Sequence, residues 1–173
     1  MDDLARLSAL RAHRHEVMNA LQVVKGYLQL NRGDRALRAL DRLADRMSDY
    51  SRLQGSIAPE EADLVWCAIG LGRVRVGRWC PGLCRAPDRM AAVCNFLCAL
   101  DRCAAVRGVD EVLVEAVDRP RAALRLCVAG EDAGDLRGQD WTDWWHTVQQ
   151  EAAVSGLRWA GVDGREALVV LEG

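Results

Sequence analysis

Between residues 3 and 30 the apolar positions recur in alternating steps of three and four, at Leu7, Leu10, Val17, Leu21, Val24 and Leu28, with Arg14 at one stripe position. That period predicts one long helix with a single apolar stripe. Asn31-Arg32-Gly33-Asp34 follows, and predicts a turn with Gly33 at positive φ and Asp34 capping the next helix. A second helical stripe then runs through Leu37, Leu40, Leu43, Ala44, Met47, Tyr50 and Leu53 and ends near Gly55. Residues 1–56 are therefore read as a helical hairpin. Two helices packed along one seam leave their remaining apolar flanks in water, and a symmetric dimer closing a four-helix bundle is the simplest way to cover them.

Pro59 is the first proline, and the pattern changes there, so a second unit is placed over residues 57–173. A helix is predicted over 60–71, then a strand over 74–79 in which β-branched residues alternate with arginines. The Pro81-Gly82 turn leads to a helix over 87–106, followed by strands over 112–117 and 123–128 joined as a hairpin through Asp118-Arg119-Pro120. A helix over 141–155 and a closing hairpin, 157–162 with 167–171 around Asp163-Gly164, complete the chain. The fold class is α+β: the hairpin plus an α/β sandwich with helices on one sheet face. No internal repeat or low-complexity tract is seen.

Composition narrows the function classes. The 173 residues are 50% hydrophobic and 28% charged, a globular balance, and the longest apolar runs fall short of the roughly 20 residues a membrane span needs. A net charge of −2 argues against a sequence-independent nucleic-acid binder. The acidic start, without a basic region leading into an apolar segment, is read as cytoplasmic. Seven cysteines cannot all pair within one chain, and that setting favours free thiols.

His15 neighbours Arg14, a stripe position, and a step of one residue turns about 100° around a helix, which puts the imidazole on the rim of a bundle. Asn19 lies one turn further on the same face. An exposed imidazole is largely neutral at cellular pH and can attack phosphorus through a ring nitrogen. Arg14 would complement phosphate charge, and Glu16 could orient the ring. Spacing alone fits a plain surface histidine in an arginine-rich helix better, because one histidine with polar neighbours has little specificity.

The run Arg14-His15-Glu16-Val17-Met18-Asn19-Ala20-Leu21-Gln22-Val23-Val24-Lys25-Gly26-Tyr27-Leu28-Gln29-Leu30 reverses that preference. It resembles the phosphorylated-histidine box of the sporulation initiation phosphotransferase B family, Arg-His-acidic-x-x-Asn-x-Leu-Gln-x-x-x-Gly-x-x-x-Leu, and Asp34-Arg35-Ala36 continues the match after the turn. A related box occurs in citrate- and malate-sensing histidine kinases. The resemblance implies a homodimer whose hairpins form a four-helix bundle, with His15 carrying a phosphoryl group between response-regulator aspartates. Arg14 would then contact the phosphate, with Glu16 and Asn19 orienting and docking. The protein would have no cofactor of its own, magnesium coming with the response regulator. The C-terminal unit would resemble a degenerate histidine-kinase ATPase domain that does not bind ATP; there the likeness is only in the order of elements. Two alternatives stay open: a sensor histidine kinase core fragment that uses ATP, and a non-catalytic dimeric adaptor that binds a regulator.

An ATP-using kinase needs asparagines four apart on a helix and glycine loops that accept phosphates. Asn95-Phe96-Leu97-Cys98-Ala99 supplies one asparagine of the two. Glu131-Asp132-Ala133-Gly134-Asp135 is only faintly like an acidic glycine box, and turn residues are the simpler reading. Cys80 and Cys84 flank a turn, and Cys94 and Cys98 lie one helical turn apart; buried free thiols are preferred to zinc at these spacings. Trp141, Trp144 and Trp145 read as core, with a partner-facing surface as the alternative. His146 has no triad context, and His13 is placed away from the helix seam.

Overall fold

The protein is described from a computed structural model covering residues 3–118, 121–129 and 138–171. Helix α1 (Asp3–Gln29) and helix α2 (Gly33–Ser56) form an antiparallel hairpin. A single 3-10 turn (Pro59–Glu61) leads into α3 (Ala62–Ile69), β1 (Val74–Val76), α4 (Pro87–Arg107), β2 (Glu111–Val117), β3 (Ala123–Ala129), α5 (Gly138–Val154), β4 (Arg158–Asp163) and β5 (Glu166–Val170). The fold is α+β, with N-terminal helices followed by a mixed five-stranded sheet of order β1-β2-β3-β5-β4. β1 pairs with β2 in parallel, and the other neighbours are antiparallel.

Alternation makes the sheet one-sided. Val112, Val114 and Ala116 of β2 stand opposite Val128, Leu126 and Leu124 of β3, and all six are buried, whereas Glu115 pairs with Arg125 on the other face. Helices α3, α4 and α5 cover the buried face. α4 turns Val93, Phe96, Leu97 and Leu100 inward at helical spacing, and Trp144 and Val148 of α5 join the same core. Gly108 ends α4 in the left-handed conformation at φ 70°, where a side chain would be strained. Leu53, near the end of α2, is 1% exposed and belongs to this core, so the foot of the hairpin shares it with the sheet layer.

Three sequence expectations change. The hairpin turn uses Asn31, not Gly33, for positive φ (54°): Arg32 N–H donates to Tyr27 O at 2.8 Å and Asn31 N–H to Leu28 O at 3.0 Å, a Schellman-type ending that Asn tolerates. Gly33 opens α2, so Arg32 holds the cap position and Asp34 lies inside the first turn. The regular strand expected over 74–79 is shorter, Val74–Val76: Gly77 N–H still donates to Val114 O and Ala116 N–H to Arg78 O, each at 2.8 Å, but the ladder turns irregular there before the Trp79 indole donates to Glu61 at 3.3 Å.

The third change is the seam. Leu7, Leu10, Leu21 and Leu28 of the predicted stripe are 44–57% exposed, as are Leu37 and Leu40 of α2 at 60% and 44%. The helices of one chain meet instead through small residues, Ala36 and Ala39 among them, and through polar pairs. Alanines let two backbones approach closely; an apolar stripe specifies a face to be covered, not which helix covers it.

Charged contacts seat the hairpin on the sheet edge. Asp49 of α2, 3% exposed, accepts from both Arg75 of β1 and Arg52, and Arg75 also reaches Glu111 at 3.5 Å. Arg6 of α1 donates to Asp63 of α3 at 3.3 Å.

Candidate functional site

His15 projects from the middle of α1 as an exposed side chain, and Arg14 and Asn19 are exposed as well. The helical turn of about 100° per residue separates their directions. Arg14 has Leu10 and Met18 four residues to either side and Leu7 and Leu21 seven, so it stands within the exposed apolar stripe. His15 and Asn19, four apart, share the adjoining face.

Glu16 turns the other way. Its carboxylate forms an ion pair with Arg46 of α2, and Arg46 donates onward to Gly72 O at 3.0 Å, so one carboxylate ties α1, α2 and the approach to β1. The structure therefore groups His15 with Asn19 and flanks them with Arg14, while Glu16 sits in the contact between the helices. His13, which sequence reasoning placed away from the helix contact, lies in it: its ring meets Tyr50 edge-on at 5.5 Å, and Nδ1 is 3.9 Å from Glu16 Oε2. Burial, with Arg46 nearby adding to it, holds the His13 imidazole below the ordinary histidine value. The stripe reasoning missed His13, Arg46 and Tyr50 because it followed leucines, while the intrachain contact is polar and small.

Glu61 is a second feature the sequence did not single out. It is fully buried, and its carboxylate accepts from Ala58 N (3.0 Å), Gly82 N (2.9 Å), Cys84 N (2.8 Å) and Trp79 Nε1 (3.3 Å). Burial alone would raise its pKa, but these donors outweigh it and hold the carboxyl below the usual range. No spacing rule signals such a hub, since its donors come mainly from a loop about twenty residues downstream.

Beyond the hairpin, Asn95 is exposed on α4 while Ala99, four residues on, is 3% exposed and faces the core. The 131–135 segment lies outside the described residues. Trp144 and Trp145 are buried, as expected of core, and Trp141 is half-buried; with Trp159 and His146, Trp141 and Trp145 line an open groove of 570 Å³ beside β4. His146 is exposed and contacts Gln150 at 3.2 Å. Cys80 is half-buried and Cys84 buried, and burial, followed by the charge of Glu61, pushes the Cys84 thiol up to about 12. Among the described residues no three His, Cys, Asp or Glu side chains converge as a metal site, and no helix is long and apolar enough to cross a membrane.

The exposed His15 thus lies midway along α1, beside an uncovered leucine stripe on a hairpin seated against the sheet layer. Residues 3–54, the hairpin itself, match the family described as Sensor kinase SpoOB-type, alpha-helical domain. At that level the chain is similar to two-component signalling proteins of the sensor-kinase kind. No curated protein matches it.

Proposed function

We propose that the chain is a phosphorelay histidine phosphotransferase that passes a phosphoryl group between response-regulator aspartates through His15. The observation that carries this reading is the coincidence of the exposed His15 with the helical hairpin that matches the SpoOB-type helical domain. A ring nitrogen of His15 attacks the phosphorus of a regulator's aspartyl phosphate, and the bond from phosphorus to the carboxylate oxygen breaks. An aspartate oxygen of a second regulator then attacks the phosphohistidine and releases the imidazole. An aspartyl phosphate is already an activated donor, so the work left to this protein is positioning and charge compensation.

Arg14 supplies a cation beside the transferring group, and Asn19 docks the regulator one turn along. Glu16 contributes by holding α1 against α2 through Arg46, which keeps the face bearing His15 directed outward. Magnesium comes with the regulator. The functional protein is a homodimer: residues 1–56 of two chains cover their exposed leucines in a four-helix bundle, and residues 57–173 form the ATPase-like unit without nucleotide.

Incubation with a labelled, phosphorylated response regulator tests this. The wild type takes up acid-labile, base-stable label, His15→Ala takes up none, and His13→Ala and His146→Ala retain it. Label on the His15→Ala protein refutes the assignment, and an unlabelled wild type that still binds the regulator makes it an adaptor. Calorimetry with magnesium and ATP is expected to show no binding at millimolar nucleotide; a micromolar dissociation constant would make it a kinase fragment.

A further inference from the structure

The thiols of α3 and α4 form a pair that phosphotransfer does not use. Cys67 Sγ of α3 lies 3.9 Å from Cys98 Sγ of α4, 31 residues along the chain. Their settings differ: Cys67 is 6% exposed, whereas Cys98 is the one cysteine of the seven whose residue is exposed. Cys94, one turn before Cys98, also adjoins Cys67, whose thiol donates to its carbonyl at 3.7 Å, but the Cys94 Sγ itself is directed to Met90 Sδ at 3.7 Å. Cys84 is buried, and Cys80 Sγ is turned to Ala116 O at 3.7 Å.

We propose that Cys98 is a site of oxidation by hydroperoxides and that Cys67 resolves it into a Cys67–Cys98 disulfide joining α3 to α4.

The Cys98 sulfur attacks one oxygen of hydrogen peroxide, the O–O bond breaks, and the departing hydroxide takes a proton and leaves as water. The resulting sulfenic acid meets the Cys67 sulfur, which attacks it; the S–S bond forms, the S–O bond breaks, and the oxygen leaves as a second water with the Cys67 proton. Two thiols lose two electrons and one peroxide gains them. Closing the pair requires the sulfurs to approach by roughly 2 Å, within the reach of a side-chain rotation.

Reactivity follows the thiolate. The Cys67 thiol hydrogen-bonds to Cys98 and draws its pKa down to about 7; burial opposes this, and Arg102 adds to it. The Cys94 side chain, then the contact with Cys98, then burial drive the Cys67 thiol upward, so of the pair Cys98 is the readier thiolate. Burial also raises Cys84, Cys103 and Cys127. The bond would tie together the helix against which both hairpin helices rest and the longest helix of the sheet layer.

The test treats the reduced full-length protein with hydrogen peroxide and maps the products by mass spectrometry. The expected result is a loss of about 2 Da and a Cys67–Cys98 linked peptide, reversed by dithiothreitol. Its formation rate should be half-maximal near pH 7. In Cys67→Ala Cys98 is oxidised more slowly, because the thiol that lowers its pKa is gone, and the sulfenic acid that forms has no resolving partner and is trapped by dimedone, while Cys94→Ser still forms the disulfide. Earlier oxidation of another cysteine, or wild-type Cys98 advancing to sulfinic acid without linking to Cys67, overturns the proposal. The wild-type peptide map decides this even where a variant folds poorly.

Discussion

Replacing Glu61 by Gln changes one atom and tests the buried hub that joins the hairpin's exit to the loop around Cys84. Each carboxylate oxygen serves two donors: Oε1 accepts from Trp79 Nε1 and Cys84 N, and Oε2 from Ala58 N and Gly82 N. In glutamine, whichever way the amide turns, an NH2 faces two N–H groups at a fully buried position. A buried donor left unpaired costs about 1–3 kcal/mol, and relief from burying the carboxylate charge offsets part of the sum, so Glu61→Gln should lose roughly 2–4 kcal/mol. That is a large share of the about 5–15 kcal/mol by which a domain is ordinarily stable. Urea denaturation followed by tryptophan fluorescence measures it, with Trp79 reporting from the hub itself. The pH dependence carries an independent sign. Because the folded carboxyl lies below its ordinary value, its contribution is complete above about pH 4.3 and is lost as the pH falls through the lower folded value. The gap between wild type and variant should therefore narrow in acid. A difference below about 0.5 kcal/mol at neutral pH, or a gap that widens on acidification, would refute the reasoning.

Asp49→Ala leaves Arg75 with only the longer contact to Glu111; because Arg75 keeps partial access to water, the expected cost is about 1–3 kcal/mol in chemical denaturation. Leu21→Glu places a charge in the proposed dimer contact and should shift sedimentation from dimer to monomer by weakening association several kcal/mol, whereas Val106→Glu, at an apolar position 84% exposed on α4, should not. His13 should titrate below the ordinary histidine value of about 6.5 in nuclear magnetic resonance, and stability should fall as the pH drops from that value toward the lower folded one, because the unfolded chain takes the proton first. A His13 midpoint at or above that value contradicts its placement between the helices.

Element order was legible in the chain because each element carries a local signal. The three-four spacing of leucines marks α1 and α2, the alternation in residues 112–117 and 123–128 marks β2 and β3, and Asp163-Gly164 marks the final hairpin, where Gly164 has φ 59°. His15 could be placed beside the apolar stripe, with Asn19 one turn along the same face, for the same reason, since a helix turns by a constant angle, whereas Arg14 was read as a stripe position and is exposed because that stripe is. Which faces meet could not be read this way. The leucine stripe resembles an intrachain seam, yet the two helices join through alanines, His13–Tyr50 and Glu16–Arg46, because contact depends on how closely two backbones approach, and spacing within one helix says nothing of that. The Glu61 hub and the Cys67–Cys98 pair join residues about twenty and 31 positions apart, a proximity created when α3 packs against α4 and the loop at Cys84 folds back over it. Periodicity reports the environment of a position along its own element; the identity of its neighbour is set only when separate elements compete to fill one core.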